Sequence, residues 1–362
     1  MSKIAYMHLM QINSLGDEMK VVCSIGPNVK SLSDLDKFID AGMDSARLNF
    51  SHIEYEKAKD QIKYIKDKYP SITIIQDLQG NKLRVSSLFN GQLRVNFGES
   101  VYFCSEDFYK SNLRHSDKHI LIPISFQGEF SWLTNANKIL MKDGTMEFKI
   151  TGKLKDKDAI KAEVVIGGMV RGEKGLNAPG MDRTGMSLTV KDKSDIEFGI
   201  QNKVDVICLS YVTRAADILD LKAYIGEIKK DKTDINIPKL WAKIECKEGI
   251  DSFDEIVNEV DGIMLGRGDL LSELDIVEIP FVQDKIIEKM KSSKKELIIA
   301  TYVLDSMRNS FKPKIPEADD IYNFLKNKVD AVMLAGEVGV GRNPIEVIKF
   351  AKKIIDKYSY YD

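Results

Sequence analysis

Residues 241–270 read WAKIECKEGIDSFDEIVNEVDGIMLGRGDL. One short apolar run, Leu240–Ile244, overlaps the start of this stretch, and a second, Gly262–Leu265, lies near its end. Nearly continuous apolar character over so few residues is typical of strands that are buried on both faces of a parallel sheet. Between the two runs, Ser252–Glu259 has the apolar spacing of an amphipathic helix. The stretch therefore predicts a strand–helix–strand unit.

The same kind of unit recurs along the whole chain. Short apolar runs rich in β-branched residues, most of them followed by a helical pattern, occur at Val21–Ile25, Ser45–Phe50, Ile72–Asp77, Val204–Ser210, Leu240–Ile244, Gly262–Leu265, Leu297–Thr301 and Ala331–Leu334. Eight strands that alternate with helices predict an α/β fold of the (β/α)8 TIM barrel type. A doubly wound open sheet is the alternative architecture.

One interval breaks the alternation. Between Val85 and Thr184 the chain has glycine-containing turns and short alternating strands, and helical periodicity is nearly absent. About a hundred residues without a helix are too many for a loop of a barrel. We therefore predict an inserted all-β domain after strand three. The predicted domains are 1–85, the first part of the barrel; 86–183, the insertion; and 184–362, the second part of the barrel.

Composition narrows the class of protein. Of the 362 residues, 43% are hydrophobic and 30% charged, which excludes a disordered, collagen-like or membrane-spanning chain. Lys and Arg number 53 against 55 Asp and Glu, for a net charge of −2. Because there is no global basic field, we expect neither nucleic acid nor a membrane as a partner.

The cysteines and the N-terminal residues indicate the compartment. The four cysteines show no CxxC spacing, which argues against a zinc site and against a disulfide framework; they are Cys23, Cys104, Cys208 and Cys246. The first twenty residues, MSKIAYMHLMQINSLGDEMK, lack the long apolar stretch of a signal peptide or membrane helix. We expect a soluble protein in a reducing, cytoplasmic compartment.

Polar residues stand at the carboxyl ends of the predicted barrel strands. They are Arg47, Asn49 and Ser51 at strand two, Asp77 and Arg84 at and beyond strand three, Ser210 at strand four, Lys243 and Glu245 at strand five, Asp269 after strand six and Thr301 at strand seven. Any one of them is equally well explained as a solvated loop residue or a strand-end cap. A whole set at one rim favours an active site, because barrel enzymes build theirs on this face.

The residue types at this rim point to phosphoryl chemistry. Glu245 and Asp269, on neighbouring strands, are suited to share a hard divalent cation such as Mg²⁺. Lys243 lies two residues before Glu245, so its side chain points to the same side of the strand. Arg47 and Arg84 add planar forks that match phosphate or carboxylate oxygens. A metal, a lysine and two arginines together form a clamp for a transferring phosphoryl group.

The histidines indicate function less clearly than the charged residues at the strand ends do. His52 follows the polar end of strand two, where a nucleotide contact and a capping role are equally compatible with the sequence. His115 and His119 have the helical spacing of metal ligands, but the surrounding pattern is β-like and offers no third ligand. Solvated loop histidines are the favoured interpretation there.

Several motifs, in order, resemble those of the pyruvate kinase family from Lys20 to about Lys353. They are VVCSIGP (21–27), AGMDSARLNFSH (41–52), QDLQGNKLRV (76–85), KDG (142–144), EKGLNAPG (173–180), AKIECKEGI (242–250), GIMLGRGDL (262–270), ATYVLDSM (300–307) and VMLAGE (332–337). The resemblance implies a (β/α)8 barrel with a β-rich B domain, a lid, inserted after strand three. It implies Mg²⁺-dependent phosphoryl transfer from phosphoenolpyruvate to ADP, giving pyruvate and ATP, with Mn²⁺ as a substitute metal.

The resemblance also implies roles for individual residues. The catalytic residues are Lys243, Arg47, Arg84 and Thr301; the substrate is bound by Gly268, Asp269, Thr301 and Ser210; the nucleotide by Arg47, Asn49, His52 and Lys174; and the metal by Glu245 and Asp269. Lys243 would stabilise the transferring phosphoryl group, and Thr301 would lie near the carbon that is protonated as enolpyruvate becomes pyruvate.

A monovalent-cation site is implied as well. In many members of the family K⁺ is held by residues matching Asn49, Ser51, Asp77 and the carbonyl of Leu78, and a Glu stands where this sequence has Lys82. A fixed ammonium can supply the charge of the ion. Two cations a few ångströms apart repel by about 4 kcal/mol at an effective dielectric constant of about 20. We therefore predict activity without K⁺; the alternative is that Lys82 only points to solvent.

The sequence departs from the family pattern in several places. Lys312–Ile321 is short and lacks the usual Thr-Arg-Ala-Glu run, Tyr302 replaces Gln, Ala335 replaces Ser, Val338 replaces Thr, and Thr184 replaces the Asp of the lid. We also expect no C-terminal effector domain, and hence insensitivity to fructose 1,6-bisphosphate and a dimer or monomer rather than a tetramer.

These departures leave two other functions open. One is a specialised paralogue in a biosynthetic pathway that keeps the metal and enolpyruvate sites but uses a different phosphoryl acceptor or 2-oxo acid. The other is a catalytically weak sensor of phosphoenolpyruvate or nucleotide. Retention of Lys243, Glu245, Asp269 and Thr301 together argues against the sensor.

Overall fold

The computed structural model describes residues 18–112, 120–125, 130–142, 144–153, 158–183, 185–186, 188–231 and 236–359. The chain divides into two compact units. The first contains the residues up to Leu48, Tyr55–Ile75 and those from Ile287 onward, and the second contains Asn49–Glu54 and Gln76–Ile286. No helix in the described ranges is long and apolar enough to cross a membrane.

Strands and helices alternate along both ends of the chain, whereas strands dominate the interval between β3 and β13. The strands are β1 (Lys20–Ile25), β2 (Ser45–Asn49), β3 (Thr73–Asp77), β4 (Leu83–Val85), β5 (Gln92–Val95), β6 (Ser100–Ser105), β7 (Ile120–Ser125), β8 (Lys138–Met141), β9 (Met146–Lys153), β10 (Ala159–Ile166), β11 (Gly168–Arg171), β12 (Gly175–Asn177), β13 (Val206–Leu209), β14 (Lys239–Ile244), β15 (Gly262–Gly266), β16 (Glu296–Ala300) and β17 (Ala331–Leu334). The helices are α1 (Leu32–Asp40), α2 (Tyr55–Lys68), α3 (Glu106–Asn112), α4 (Val190–Gln201), α5 (Ala215–Asp231), α6 (Lys247–Asp251), α7 (Phe253–Glu259), α8 (Arg267–Glu273), α9 (Ile279–Ser293), α10 (Ile315–Lys326), α11 (Gly336–Gly339) and α12 (Pro344–Tyr358).

Eight strands form a closed parallel barrel in the order β1-β17-β16-β15-β14-β13-β3-β2. They coincide with the eight predicted apolar runs to within two residues; Val204–Ser210, for example, contains β13. Every residue of β13, β15 and β17 is buried, as expected for strands covered on both faces. The predicted (β/α)8 barrel is confirmed, and the open doubly wound sheet is wrong.

Strand register sets the height of the polar side chains at the rim. Leu209 of β13 pairs with Ala242 of β14, and Ile244 of β14 pairs with Leu265 of β15. The residues that follow these pairs therefore lie at nearly the same height along the barrel axis. This register brings the ends of β13, β14 and β15 together at one edge.

A second closed sheet is formed by β10-β6-β7-β4-β12-β8-β9, and β11 pairs with β5. In the second closed sheet the pair β6–β7 is parallel and the other six strand pairs are antiparallel. Phe103 and Phe148 pack edge to face in its core, with ring centroids 5.1 Å apart and planes at 88°. The strands predicted for this interval are present. A separate inserted domain with bounds 86–183 stays a prediction.

One element of this interval contradicts its description as all-β. Helix α3 lies between β6 and β7. The amide of Phe108 donates to Ser105 Oγ at 3.2 Å, and Glu106 and Asp107 occupy the first turn, where carboxylates are favourable. Seven residues are fewer than two helical turns, which is too short for a periodic pattern. His115, His119 and Thr184 lie outside the described residues.

The loop after β3 is held against the end of β13. Thr189 and Asp192 cap the start of α4 reciprocally, at 2.9 and 3.1 Å, and the other Asp192 oxygen accepts the Gly80 amide at 3.0 Å. Gly80 has a φ of +61°, and a Cβ there would lie 2.3 Å from the carbonyl oxygen of Ser210. Only glycine suits this position, which brings the loop close to Ser210.

Candidate active site

The ammonium of Lys243 lies at the centre of a buried polar cluster. Its Nζ is 3.2 Å from Asp77 Oδ2, 3.1 Å from Glu245 Oε1 and 3.4 Å from Ser210 Oγ. Ser210 Oγ in turn donates to Asp77 Oδ1 at 3.0 Å. Because β3, β13 and β14 are adjacent, three residues far apart in the chain fix one lysine. The structure thus brings together Lys243, Ser210 and Asp77, as predicted from the strand ends.

The second carboxylate of the site belongs to Asp269, which follows the buried Gly268 in the first turn of α8. Its Oδ1 is 2.6 Å from Lys82 Nζ, and the Glu245 carboxyl group hydrogen-bonds to Asp269. A Cβ on Gly266 would lie 2.7 Å from Glu245 Cγ. Glycine at the end of β15 therefore leaves the space in which Glu245 meets Asp269.

The pKa values of the two carboxyl groups shift in opposite directions. Burial raises the pKa of Glu245 to about 8 against the opposing charge of Lys243, and the Asp269 carboxylate raises it further. Burial also acts to raise the pKa of Asp269, but the Lys82 ammonium and the bond from Glu245 hold it well below its usual range. The pKa of Glu245 therefore lies above that of Asp269.

This donor set fits a hard divalent cation. Two adjacent buried carboxyl groups crowd negative charge when both are ionised, and a cation can neutralise that charge. Within the described residues no third His, Cys, Asp or Glu joins such a group. Mg²⁺ is commonly bound by one or two carboxylates and completes its shell with water and substrate oxygens. The residues present therefore match Mg²⁺ better than a metal that needs a full protein cage.

Arg84 extends the positive side of the site. Its Nη1 donates to the carbonyl of Glu173 at 3.0 Å, while its buried Nε has no hydrogen-bond partner within the described part of the chain. Burial lowers the pKa of Arg84, and the charge of Asp269 opposes that shift. Desolvation lowers the pKa of His52, and the charges of Arg84 and Lys174 lower it further. Arg84 is thus near Asp269 and His52, with an N–H group available to an anionic ligand.

The residues predicted to hold K⁺ make protein contacts. Asn49 Oδ1 accepts the amide of Ser51 at 3.1 Å, and the amide of Leu78 donates to the carbonyl of Cys208 at 2.9 Å. Lys82 pairs with Asp269 at 2.6 Å, and 21% of its side chain is exposed. The alternative in which Lys82 only points to solvent therefore does not describe it.

Two predicted site residues, Arg47 and Thr301, belong to the other compact unit. Arg47 Nη1 donates to Ser24 Oγ at 3.1 Å. Thr301 has a φ of +66° and donates from Oγ1 to the carbonyl of Ala300 at 2.6 Å, and Tyr302 has a φ of +54°. Left-handed backbone at a non-glycine residue costs about 1–3 kcal/mol, and such strain clusters at functional sites.

Tyr211 belongs to the cluster, although no sequence motif marked it as a site residue. Its backbone amide donates to Glu245 Oε2 at 3.1 Å, its hydroxyl donates to Asp269 Oδ1 at 2.8 Å, and Asn177 Nδ2 donates to that hydroxyl at 2.9 Å. Tyr211 directly follows Ser210, so it too lies at the carboxyl end of a barrel strand, and that position was the available signal. Asn177 lies in the stretch EKGLNAPG (173–180), but the resemblance to the family implied no role for it.

Arg183 is a second residue that the sequence did not reveal. Its Nη1 is 2.8 Å from Glu248 Oε1 and its Nη2 is 2.9 Å from Glu273 Oε1, with the arginine side chain 4% exposed. Glu248 lies in α6 and Glu273 ends α8. No sequence signal marks this contact, because the partners are 65 and 90 positions from Arg183.

A closed parallel barrel with charged side chains at the carboxyl ends of its strands defines the class of (β/α)8 barrel enzymes. The family model described as "Pyruvate kinase, barrel domain" matches residues 17–348. The chain belongs to the pyruvate kinase family.

Individual relatives agree with this assignment. A pyruvate kinase of Sporosarcina psychrophila is 34% identical over 92% of the chain, and one of Bacillus licheniformis is 34% identical over 93%. A pyruvate kinase of Clostridium perfringens is 33% identical over 93% of the chain, and the match covers 69% of that protein. The chain spans 56% of the length of each of the first two relatives.

Proposed function

We propose that the chain catalyses Mg²⁺-dependent phosphoryl transfer from phosphoenolpyruvate to ADP, giving pyruvate and ATP. The observation that carries the proposal is a pair of carboxylates, each of which is in contact with a different lysine. Glu245 lies 3.1 Å from Lys243, and Asp269 lies 2.6 Å from Lys82. Two anionic reactants approach each other in this reaction, so positive charge must surround the group in transfer. The relatives named pyruvate kinase support the same assignment.

The cluster suggests a division of roles. Glu245 and Asp269 would hold Mg²⁺ or Mn²⁺, which when bound supplies positive charge to the phosphoryl oxygens. Lys243, held in place by Asp77, would stabilise the charge of the transferring group. The Nε of Arg84, which has no hydrogen-bond partner among the described residues, would donate to an oxygen of a phosphate or carboxylate.

The bonds of the reaction balance when solvent supplies one proton. The P–O bond to enolpyruvate breaks, and a β-phosphate oxygen of ADP forms the new P–O bond. Enolpyruvate then takes a proton on its methylene carbon and becomes pyruvate. The roles expected of Arg47, Thr301, Gly268, Asn49, His52 and Lys174 stay predictions, as does activity without K⁺.

We also propose that the second closed sheet is the inserted B domain of the family. Its strands pair with one another, and it has its own apolar core around Phe103 and Phe148. On this proposal the lid includes β4 and so begins at Leu83, three residues before the predicted bound of 86; it runs to about 183, and the rest of the chain forms the barrel.

A coupled assay tests the reaction. Purified protein is incubated with phosphoenolpyruvate, Mg²⁺ and a panel of nucleoside diphosphates; pyruvate is followed with lactate dehydrogenase, and the triphosphate by ³¹P NMR. We expect pyruvate release with ADP. Glu245→Gln and Asp269→Asn should abolish it, because each removes a charged oxygen ligand. Glu259→Gln, which disrupts an exposed ion pair with Lys222 at 2.6 Å, is the matched control.

The same assay separates the alternatives. Pyruvate release with no preference for a nucleotide would favour a specialised paralogue with a different acceptor. That candidate is motivated by Tyr302, which stands in place of the family's Gln and is 38% exposed. Binding of phosphoenolpyruvate without any release would favour a sensor.

A further inference from the structure

Tyr211 is the one described residue seen to bond to both carboxyl groups of the proposed metal site through two different donors. Its amide donates to Glu245 Oε2 at 3.1 Å, and its hydroxyl donates to Asp269 Oδ1 at 2.8 Å. The residue is 5% exposed and has a φ of +55°. For a bulky side chain this left-handed backbone is an outlier that the surroundings must enforce. The strained turn is what lets one residue direct its amide to one carboxyl group and its hydroxyl to the other.

The direction of the Tyr211 hydroxyl proton is set by Asn177. Asn177 Nδ2 donates to the phenol oxygen at 2.9 Å, and the Asn177 side chain also hydrogen-bonds to Glu273. Since the phenol oxygen accepts this bond, its own proton is directed to Asp269. Asn177 lies in β12 and is itself buried, so a residue of the second sheet holds the Tyr211 hydroxyl in this orientation.

The bonds engage defined oxygens of both carboxyl groups. Oδ1 of Asp269 accepts from Tyr211 at 2.8 Å and from Lys82 at 2.6 Å, so Oδ2 is the oxygen without these donors. On Glu245, Oε2 accepts the Tyr211 amide and Oε1 faces Lys243. Both carboxyl groups are therefore fixed in rotation by bonds on named oxygens.

We propose that Tyr211 is a positioning residue that orients Glu245 and Asp269 for a divalent cation and thereby sets metal affinity. This inference rests on the metal site of the proposed function. Groups that hydrogen-bond to metal-ligating carboxylates typically change metal affinity or activity by about 10–100-fold when they are removed. A tyrosine that only filled space would contribute nothing of this kind.

Tyr211→Phe distinguishes a positioning role from a space-filling role, because it keeps the ring and the backbone amide and removes only the hydroxyl. Metal binding is measured without phosphoenolpyruvate or nucleotide, by the EPR signal of free Mn²⁺ during titration of the protein. We expect the Mn²⁺ dissociation constant to rise about tenfold or more. Tyr64→Phe is the matched control, because it removes a tyrosine–aspartate bond, to Asp36 at 2.9 Å, in the other compact unit. It should leave the constant unchanged.

The outcomes distinguish the two proposals. A Tyr211→Phe protein that binds Mn²⁺ within twofold of wild type overturns the role of Tyr211. A wild-type protein that binds Mn²⁺ but releases no pyruvate in the coupled assay overturns the proposed reaction and leaves the role of Tyr211 standing. Asn177→Leu gives a second measurement: it frees the hydroxyl without deleting it, and the dissociation constant should rise by less than in Tyr211→Phe.

Discussion

Lys243 Nζ lies 3.2 Å from Asp77 Oδ2, although 166 positions separate the two residues in the chain. Asp77 ends β3 and is 1% exposed, so its carboxylate is a fixed counterion for the lysine. A buried charge without a partner is costly, and the pair avoids that cost while it keeps the ammonium at the carboxyl end of β14. The fold itself thus holds the lysine in position.

Lys243→Met should lower kcat by about 100–1000-fold and change the KM for phosphoenolpyruvate much less. A preorganised charge matters most where charge develops in the transition state, and a loss of that size is typical of removing one such group. Steady-state kinetics with ADP and Mg²⁺ measure the effect. Lys222→Met, which removes an exposed ion pair with Glu259, should leave kcat unchanged. An unaltered kcat in the Lys243 variant would exclude this residue from the mechanism.

Lys82→Glu should make turnover depend on K⁺, whereas the wild-type protein should be active in its absence. In the variant a carboxylate would replace the ammonium that now pairs with Asp269 at 2.6 Å, and a bound cation would have to restore the charge. Initial rates in tetramethylammonium buffer, with and without K⁺, measure the dependence. A wild-type protein that shows no turnover until K⁺ is added would contradict the prediction.

Arg183→Met should reduce the free energy of unfolding by about 3–5 kcal/mol, because it leaves Glu273, 1% exposed at its side chain, without its cation. Urea denaturation followed by circular dichroism measures the change. Arg214→Met is the matched control: Arg214 pairs with Asp217 at 3.4 Å and is 38% exposed, so we expect less than about 1 kcal/mol. Equal effects of the two substitutions would show that the buried bridge does not stabilise the fold.

The thiols should be unreactive in the native protein at pH 8. Burial raises the pKa of Cys104 to about 12 and also raises those of Cys23 and Cys246, so at pH 8 these groups are protonated and not nucleophilic. Cys208 is buried as well. Titration with a chromogenic disulfide reagent should detect less than one thiol per chain before denaturation and all four in urea. Fast reaction of a native thiol would show that one of these sites opens readily.

The barrel strands were predictable because they are buried on both faces, which demands short continuous apolar runs such as Ala331–Leu334. The second sheet was predictable as strands but not as a closed barrel, since strand order depends on pairings between distant segments. Helix α3 escaped prediction because it depends on one cap at Ser105 rather than on a repeating apolar face.

The polar residues at the rim were likewise predictable from sequence only in part. The location of Lys243, Glu245 and Asp269 at one rim was predictable from sequence alone, because a strand buried in a barrel tolerates charge only where it ends and the carboxyl ends of parallel strands meet. The pairing of Lys82 with Asp269 and the bonds of Tyr211 to both carboxyl groups were decided by the tertiary structure. They join residues 34 to 187 positions apart and depend on loop and backbone conformations, such as the left-handed turn at Tyr211, that no local sequence pattern encodes.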